Sequence, residues 1–137
     1  MKVDPYLCFE GRAEEAIGFY QRAVGAELTN MMRFREMPGT PPPGAVPPGA
    51  EEKVMHASLR VGGSTVMLSD GRCTGAANFG GVWLALTVPT AADADRMFAA
   101  LLDGGQVQMP LGETFWSPRF GMVADRFGVS WMVMVGV

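Results

Sequence analysis

The chain has 137 residues, 48% of them hydrophobic and 18% charged, with a formal net charge of −3. That is enough for one compact domain burying about two-thirds of its unfolded surface, and the composition excludes disorder. No Lys/Arg run forms a nucleic-acid footprint, no apolar stretch approaches the ~20 residues of a membrane span, and MKVDPYLCFEG lacks a signal-peptide core, so the expected compartment is the cytoplasm.

Residues 5–9 read as a short strand in which Cys8 is a small core residue. Gly11 or Arg12 opens a helix with Glu14 and Glu15 in its first turn, where the dipole favours acids. Ala16, Phe19, Tyr20, Ala23 and Val24 form its apolar stripe, and Gly25 closes it as a C-cap. Gly18 costs about 1 kcal/mol in propensity and is expected to let a strand pass close by. A second strand covers 27–34. Residues 38–50 hold six of the ten prolines and three glycines, so they predict a mobile surface loop or a lid. Two strands, 53–61 and 64–70, join through Gly62-Gly63. In the first, Ala57, Leu59 and Val61 alternate with His56, Ser58 and Arg60, leaving one face unusually polar.

The loop 71–80 carries Cys73 beside Arg72, which would lower the thiol's pKa, although no histidine neighbour in sequence activates it. Both cysteines are expected to be free thiols. A strand at 82–88 leads to Thr90, an N-cap with Asp93 three residues on, a variant of the capping box. Ala94, Met97, Phe98, Leu101 and Leu102 then repeat the first helical stripe 78 positions later, ending at Gly104-Gly105. Strands are predicted at 106–109, 112–116, 119–124 and 130–135, with Arg126-Phe127-Gly128 turning the last pair. Each half follows a βαβββ order, the second with one strand-like run more than that order needs, giving an α+β fold of two tandem modules, 1–70 and 78–137, within one domain. The expected arrangement is curved, mostly antiparallel sheets around a cleft, with helices outside.

That duplicated order resembles the vicinal-oxygen-chelate superfamily, which includes glyoxalase I, bleomycin-resistance proteins, fosfomycin-resistance enzymes and extradiol dioxygenases. The wording is similar to its PhnB-like branch, sometimes labelled a 3-demethylubiquinone methyltransferase domain. The segments that carry this are Pro5-Tyr6-Leu7-Cys8-Phe9, Glu14-Glu15-Ala16 with Phe19-Tyr20, Gly25-Ala26-Glu27-Leu28, Met67-Leu68-Ser69-Asp70, Glu113-Thr114-Phe115-Trp116 and Asp125-Arg126-Phe127-Gly128-Val129-Ser130-Trp131. Methyl transfer is not expected, because no GxGxxG-like loop follows a strand to hold a nucleotide-like donor.

The resemblance implies metal ligands on the first strand of each module and on a closing strand. The matching places hold Tyr6, Leu7 and Cys8, then Trp83 and Ala85, then Trp131, Met132 and Met134. None is a hard oxygen or imidazole ligand, and His56 is the chain's single histidine. No cofactor is therefore predicted; His56, Glu113 and a further carboxylate are the only divalent-metal alternative.

The catalytic candidates are His56, which titrates near neutrality, and Glu113, whose neighbours Phe115 and Trp116 would raise its pKa if it were buried. Strand alternation would put Glu113 with Phe115 on one face and Thr114 with Trp116 on the other. Arg60 is a candidate anion clamp, or the partner of a carboxylate on the adjacent strand. Trp83, Trp116 and Trp131 supply large flat surfaces, of which Trp83 and Trp116 are the candidate stacking surfaces, while Asp70 and Asp125 read as turn formers. The eleven methionines suit an adaptable apolar lining. The expectation is a small-molecule cleft, either that of an enzyme using acid/base chemistry or a non-catalytic drug- or metabolite-sequestering pocket, in a homodimer.

Overall fold

The computed structural model describes residues 1–136 and divides into two compact units, Met1–Ala77 and the chain from Asn78 onward. The first unit runs β1 (Tyr6–Cys8), α1 (Ala13–Val24), β2 (Glu27–Arg33), β3 (Val54–Val61) and β4 (Ser64–Ser69). The second runs β5 (Trp83–Val88), α2 (Ala91–Leu102), β6 (Gln106–Gly112), β7 (Phe120–Ala124) and β8 (Ser130–Val135). Each is thus βαβββ around a four-stranded mixed sheet. The orders are β1-β4-β3-β2 and β5-β8-β7-β6, with β1 parallel to β4 and β5 parallel to β8. Among the described residues no helix is long and apolar enough to cross a membrane.

In the first unit the whole stripe of α1 is buried, together with Leu7, Ala57, Leu59 and Leu68 on one side of the sheet. Each buried leucine contributes about 2 kcal/mol. A one-residue slip of β3 would exchange Leu59 for Arg60, so burial sets the register. Leu7 takes the core side of β1, which leaves Cys8 exposed and not in the core as expected. Gly18 also differs from expectation: no strand lies against it, and a methyl group there would meet only the Arg22 guanidinium, at 3.3 Å.

The N-terminus of α1 has no local cap, since the Arg12 side chain makes no capping bond. Asp70, 1% exposed, supplies it from the end of β4. Its Oδ1 accepts from the Gly11 and Ala13 amides at 2.9 and 2.8 Å, and its Oδ2 from the Val54 amide at 2.8 Å. Asp70 is therefore a long-range cap; the turn expected at this position does form, with the Cys73 amide donating to the Asp70 carbonyl at 3.0 Å, while the side chain serves the helix. Residues 38–50 contain neither helix nor strand.

In the second unit Ala94, Phe98 and Leu101 pack with Val123, Trp131 and Val133. Thr90 Oγ1 accepts from the Asp93 amide at 3.1 Å, the cap read from sequence. Gly105 lies where a Cβ would sit 2.0 Å from the Ala124 carbonyl oxygen, so no side chain fits there. Asp125 serves its own turn: Oδ1 accepts from the Phe127 and Val129 amides at 2.9 and 3.1 Å, and Oδ2 from the Trp131 indole at 3.0 Å.

The expected strands 106–109 and 112–116 are a single strand, β6, followed by irregular chain at 113–119. The edge position explains the continuity: β6 bonds only to β7, and Pro110 falls in the register shift between Met109 and Gly112. A missing amide costs no ladder bond in such a bulge.

Candidate functional site

The helix-free face of the first sheet holds the chain's histidine. Register puts Tyr6, Met67, Ser58 and Asn30 in one row across β1, β4, β3 and β2. His56 lies two residues from Ser58 along β3, beside Met32. The Tyr6 hydroxyl reaches past β4 to within 3.1 Å of His56 Nδ1, and Ser58 Oγ is 3.3 Å from Nε2. The Tyr6 and His56 rings are 5.6 Å apart between centroids. Hydroxyls thus occupy both nitrogens, and either tautomer can be satisfied.

Burial pushes the Tyr6 phenol above its ordinary value, opposed in part by the Ser69 hydroxyl. Cys8, on the same strand, is also raised, first by burial and then by Glu10. Cys73 moves opposite to expectation. Burial raises it most, Asp70 and Glu10 add to this, and the only lowering influence is Lys53, not Arg72. Arg60 takes the ion-pair option, its Nη2 donating to Oε2 of Glu27 at 2.5 Å, directly across the β2–β3 pair.

The corresponding face of the second sheet is softer and less polar. Register aligns Ala85, Met132, Met122 and Met109 across β5, β8, β7 and β6. Across one end of this face, between the two edge strands β5 and β6, the Trp83 indole donates to Gln108 Oε1 at 3.1 Å, and Gln108 Nε2 donates to Ser130 Oγ of β8 at 3.0 Å. Trp116 packs edge-to-face on Phe120, with centroids 5.2 Å apart, and on Phe115. Both Trp116 and Phe115 project from the 113–119 segment, which Thr114 and Ser117 brace: the Ser117 amide donates to Thr114 Oγ1 at 3.1 Å.

Glu113 opens this segment and is exposed. The alternation expected around it does not apply because the segment is not a strand, and the side chain lies open to solvent. The structure therefore brings His56 together with Tyr6 and Ser58, and Trp83 with Gln108. Glu113 lies in the second unit, just beyond the end of β6. Sequence reading named Tyr6 only as a non-ligand and passed over Gln108. The signal for Tyr6 was available in the alternation of β1, with Leu7 facing inward.

For a metal, the donors at the family's ligand places are a phenol, a thiol, thioethers and apolar groups, which do not fit a hard-ion site. Among the described residues no three of His, Cys, Asp and Glu lie close enough to hold an ion.

The sequence signature of the Glyoxalase/Bleomycin resistance protein/Dioxygenase superfamily matches residues 2–133, and the chain belongs to that superfamily. Its relatives place it in the PhnB/YjdN-like group. Protein YjdN of Escherichia coli K12 is 39% identical over 140 residues, spanning 98% of this chain and 95% of that one. The crystal structure of PA1353 from Pseudomonas aeruginosa matches with a TM-score of 0.80 and 40% identity, over 99% of this chain and 98% of that one. A PhnB protein from Bacillus cereus matches with a TM-score of 0.80 and 30% identity, over 99% and 100% of the two chains.

Proposed function

We propose that this PhnB/YjdN-like chain binds a small organic molecule on the helix-free face of its first sheet, with His56 as the acid/base group; Glu113, in the second unit, is the second candidate. One observation carries the reading: a histidine bonded at both ring nitrogens stands on a sheet face that its own helix leaves open. A core histidine would sit on the side of Leu59 instead. Trp83 and Trp116, 42% and 43% exposed, offer flat surfaces for a ligand ring. Arg60 would act as a clamp only by exchanging Glu27 for a ligand anion.

Binding without turnover is the second reading, and the row of Met109, Met122 and Met132 favours it, since thioether side chains adapt to varied shapes. The proposal includes a homodimer, in which a twofold partner covers apolar groups such as Val82 and Phe115, 57% and 96% exposed. Sedimentation at the mass of one chain would remove that part. Screening with small aromatic carbonyl compounds, scored for both binding and consumption, separates the two readings. In an enzyme, His56→Gln or Glu113→Gln keeps binding and loses about 100-fold or more in turnover. In a sequestering protein the wild type itself binds and consumes nothing. No binding by any member of the panel would oppose both.

A further inference from the structure

The Tyr6–His56–Ser58 chain has the parts of an activated nucleophile, its base and the group that orients the base. We infer that Tyr6 is a nucleophile toward small activated esters, with His56 receiving its proton; this rests on reading His56 as an acid/base group. A phenol is a stronger acid, and so a better donor, than an aliphatic alcohol. The favoured arrangement therefore has the Tyr6 hydroxyl donating to Nδ1 and the Nε2–H donating to Ser58 Oγ. That is the direction in which the phenolic proton can leave. When it does, the resulting imidazolium keeps an acceptor at Nε2.

Tyr6 is 47% exposed, whereas His56 and Ser58 are only partly so, and the phenol is the member a dissolved molecule meets first. Burial keeps that phenol protonated at rest. Attack must then be concerted with proton transfer to His56, which makes any reactivity depend on the imidazole. The nearby Cys8 thiol is likewise held protonated and has no base bonded to it among the described residues.

In the first step the Tyr6 oxygen bonds to the acyl carbon while its proton passes to Nδ1. The ester's alcohol group leaves with the electron pair of the broken C–O bond and takes the proton from Nδ1. Water then attacks the tyrosyl ester, giving a proton to Nδ1, and the departing phenolate recovers it.

The test uses the whole chain with p-nitrophenyl acetate, following nitrophenol release and locating the acetyl group by peptide mass spectrometry. The expected result is one acetyl on Tyr6, with Tyr20, 2% exposed, unlabelled as the internal control. His56→Phe should slow acetylation about 100-fold. His56→Gln, which retains hydrogen-bonding groups but no base, should slow it equally, and comparable melting temperatures would exclude misfolding. Acetyl on Ser58 or Cys8, equal rates in the histidine variants, or no acetylation would overturn the inference.

The unreactive analogue 4-nitroacetanilide distinguishes its failure from that of the underlying reading, because the single histidine gives an unambiguous NMR ring signal. A shift of that signal on adding the analogue, without acetylation, removes the nucleophile but leaves the binding face. Neither shift nor acetylation counts against both.

Discussion

The two units share one element order but cap their helices differently. α2 is capped by Thr90, adjacent to its first turn, whereas α1 is capped by Asp70, 57 residues from Ala13 in sequence. The local cap makes a helix that can begin before its sheet exists. The distant cap ties the start of α1 to the ends of β4 and β3, so those elements must form together. The same orphan amides are satisfied either way, but the cost of failure differs.

The largest expected effect follows from that contrast. Asp70→Ala leaves three backbone donors without their charged acceptor and should destabilise the chain by about 4 kcal/mol, read by urea unfolding. Next is Gly105→Ala, where a methyl group meets the Ala124 carbonyl. Repacking there should cost about 2–3 kcal/mol, again in the unfolding midpoint.

Thr90→Ala should cost about 1 kcal/mol, with a pH signature. Asp93 is held below the ordinary carboxylate range first by Arg96 and then by Thr90, as Glu14 is by Arg33. A carboxylate with a depressed folded pKa stabilises above its unfolded value and loses that contribution as pH falls through the folded one. The gap between Thr90→Ala and wild type should therefore narrow on acidification below about pH 4, in melting temperatures measured from pH 7 to 3. The smallest effect has the opposite sign. Gly18→Ala, facing only a movable guanidinium, should stabilise by about 0.5–1 kcal/mol; a loss would mean that Arg22 is more tightly fixed than its contacts suggest.

Features with a local cause were legible in the sequence. The stripes of α1 and α2, the Thr90–Asp93 cap, the Gly62-Gly63 turn and the turn after Asp125 depend on neighbours a few residues away. The role of Asp70 depends on a pairing that no window contains. Residues 112–116 read as a strand because Thr114, Phe115 and Trp116 are strand-favouring types, and only the Thr114–Ser117 bonds reveal a braced turn. At the candidate site, the exposure of His56 and Arg60 followed from the alternation of β3. Tyr6 as the histidine's partner required knowing that β4 lies between β1 and β3.

The two faces differ as clearly as the two caps. One carries the imidazole between two hydroxyls, with Met32 and Met67 beside it, and the other a row of three methionines with an indole, so chemistry is assigned to the first and adaptable contact to the second. The most direct measurement is NMR mapping of the backbone and histidine-ring signals while small aromatic carbonyl compounds are titrated in. Perturbations are expected at Tyr6, His56 and Ser58 for a compound on the first face, and at Trp83, Met122 and Met132 for one on the second. Shifts confined to the helices, or a His56 ring signal that stays fixed while a compound binds elsewhere, would contradict it.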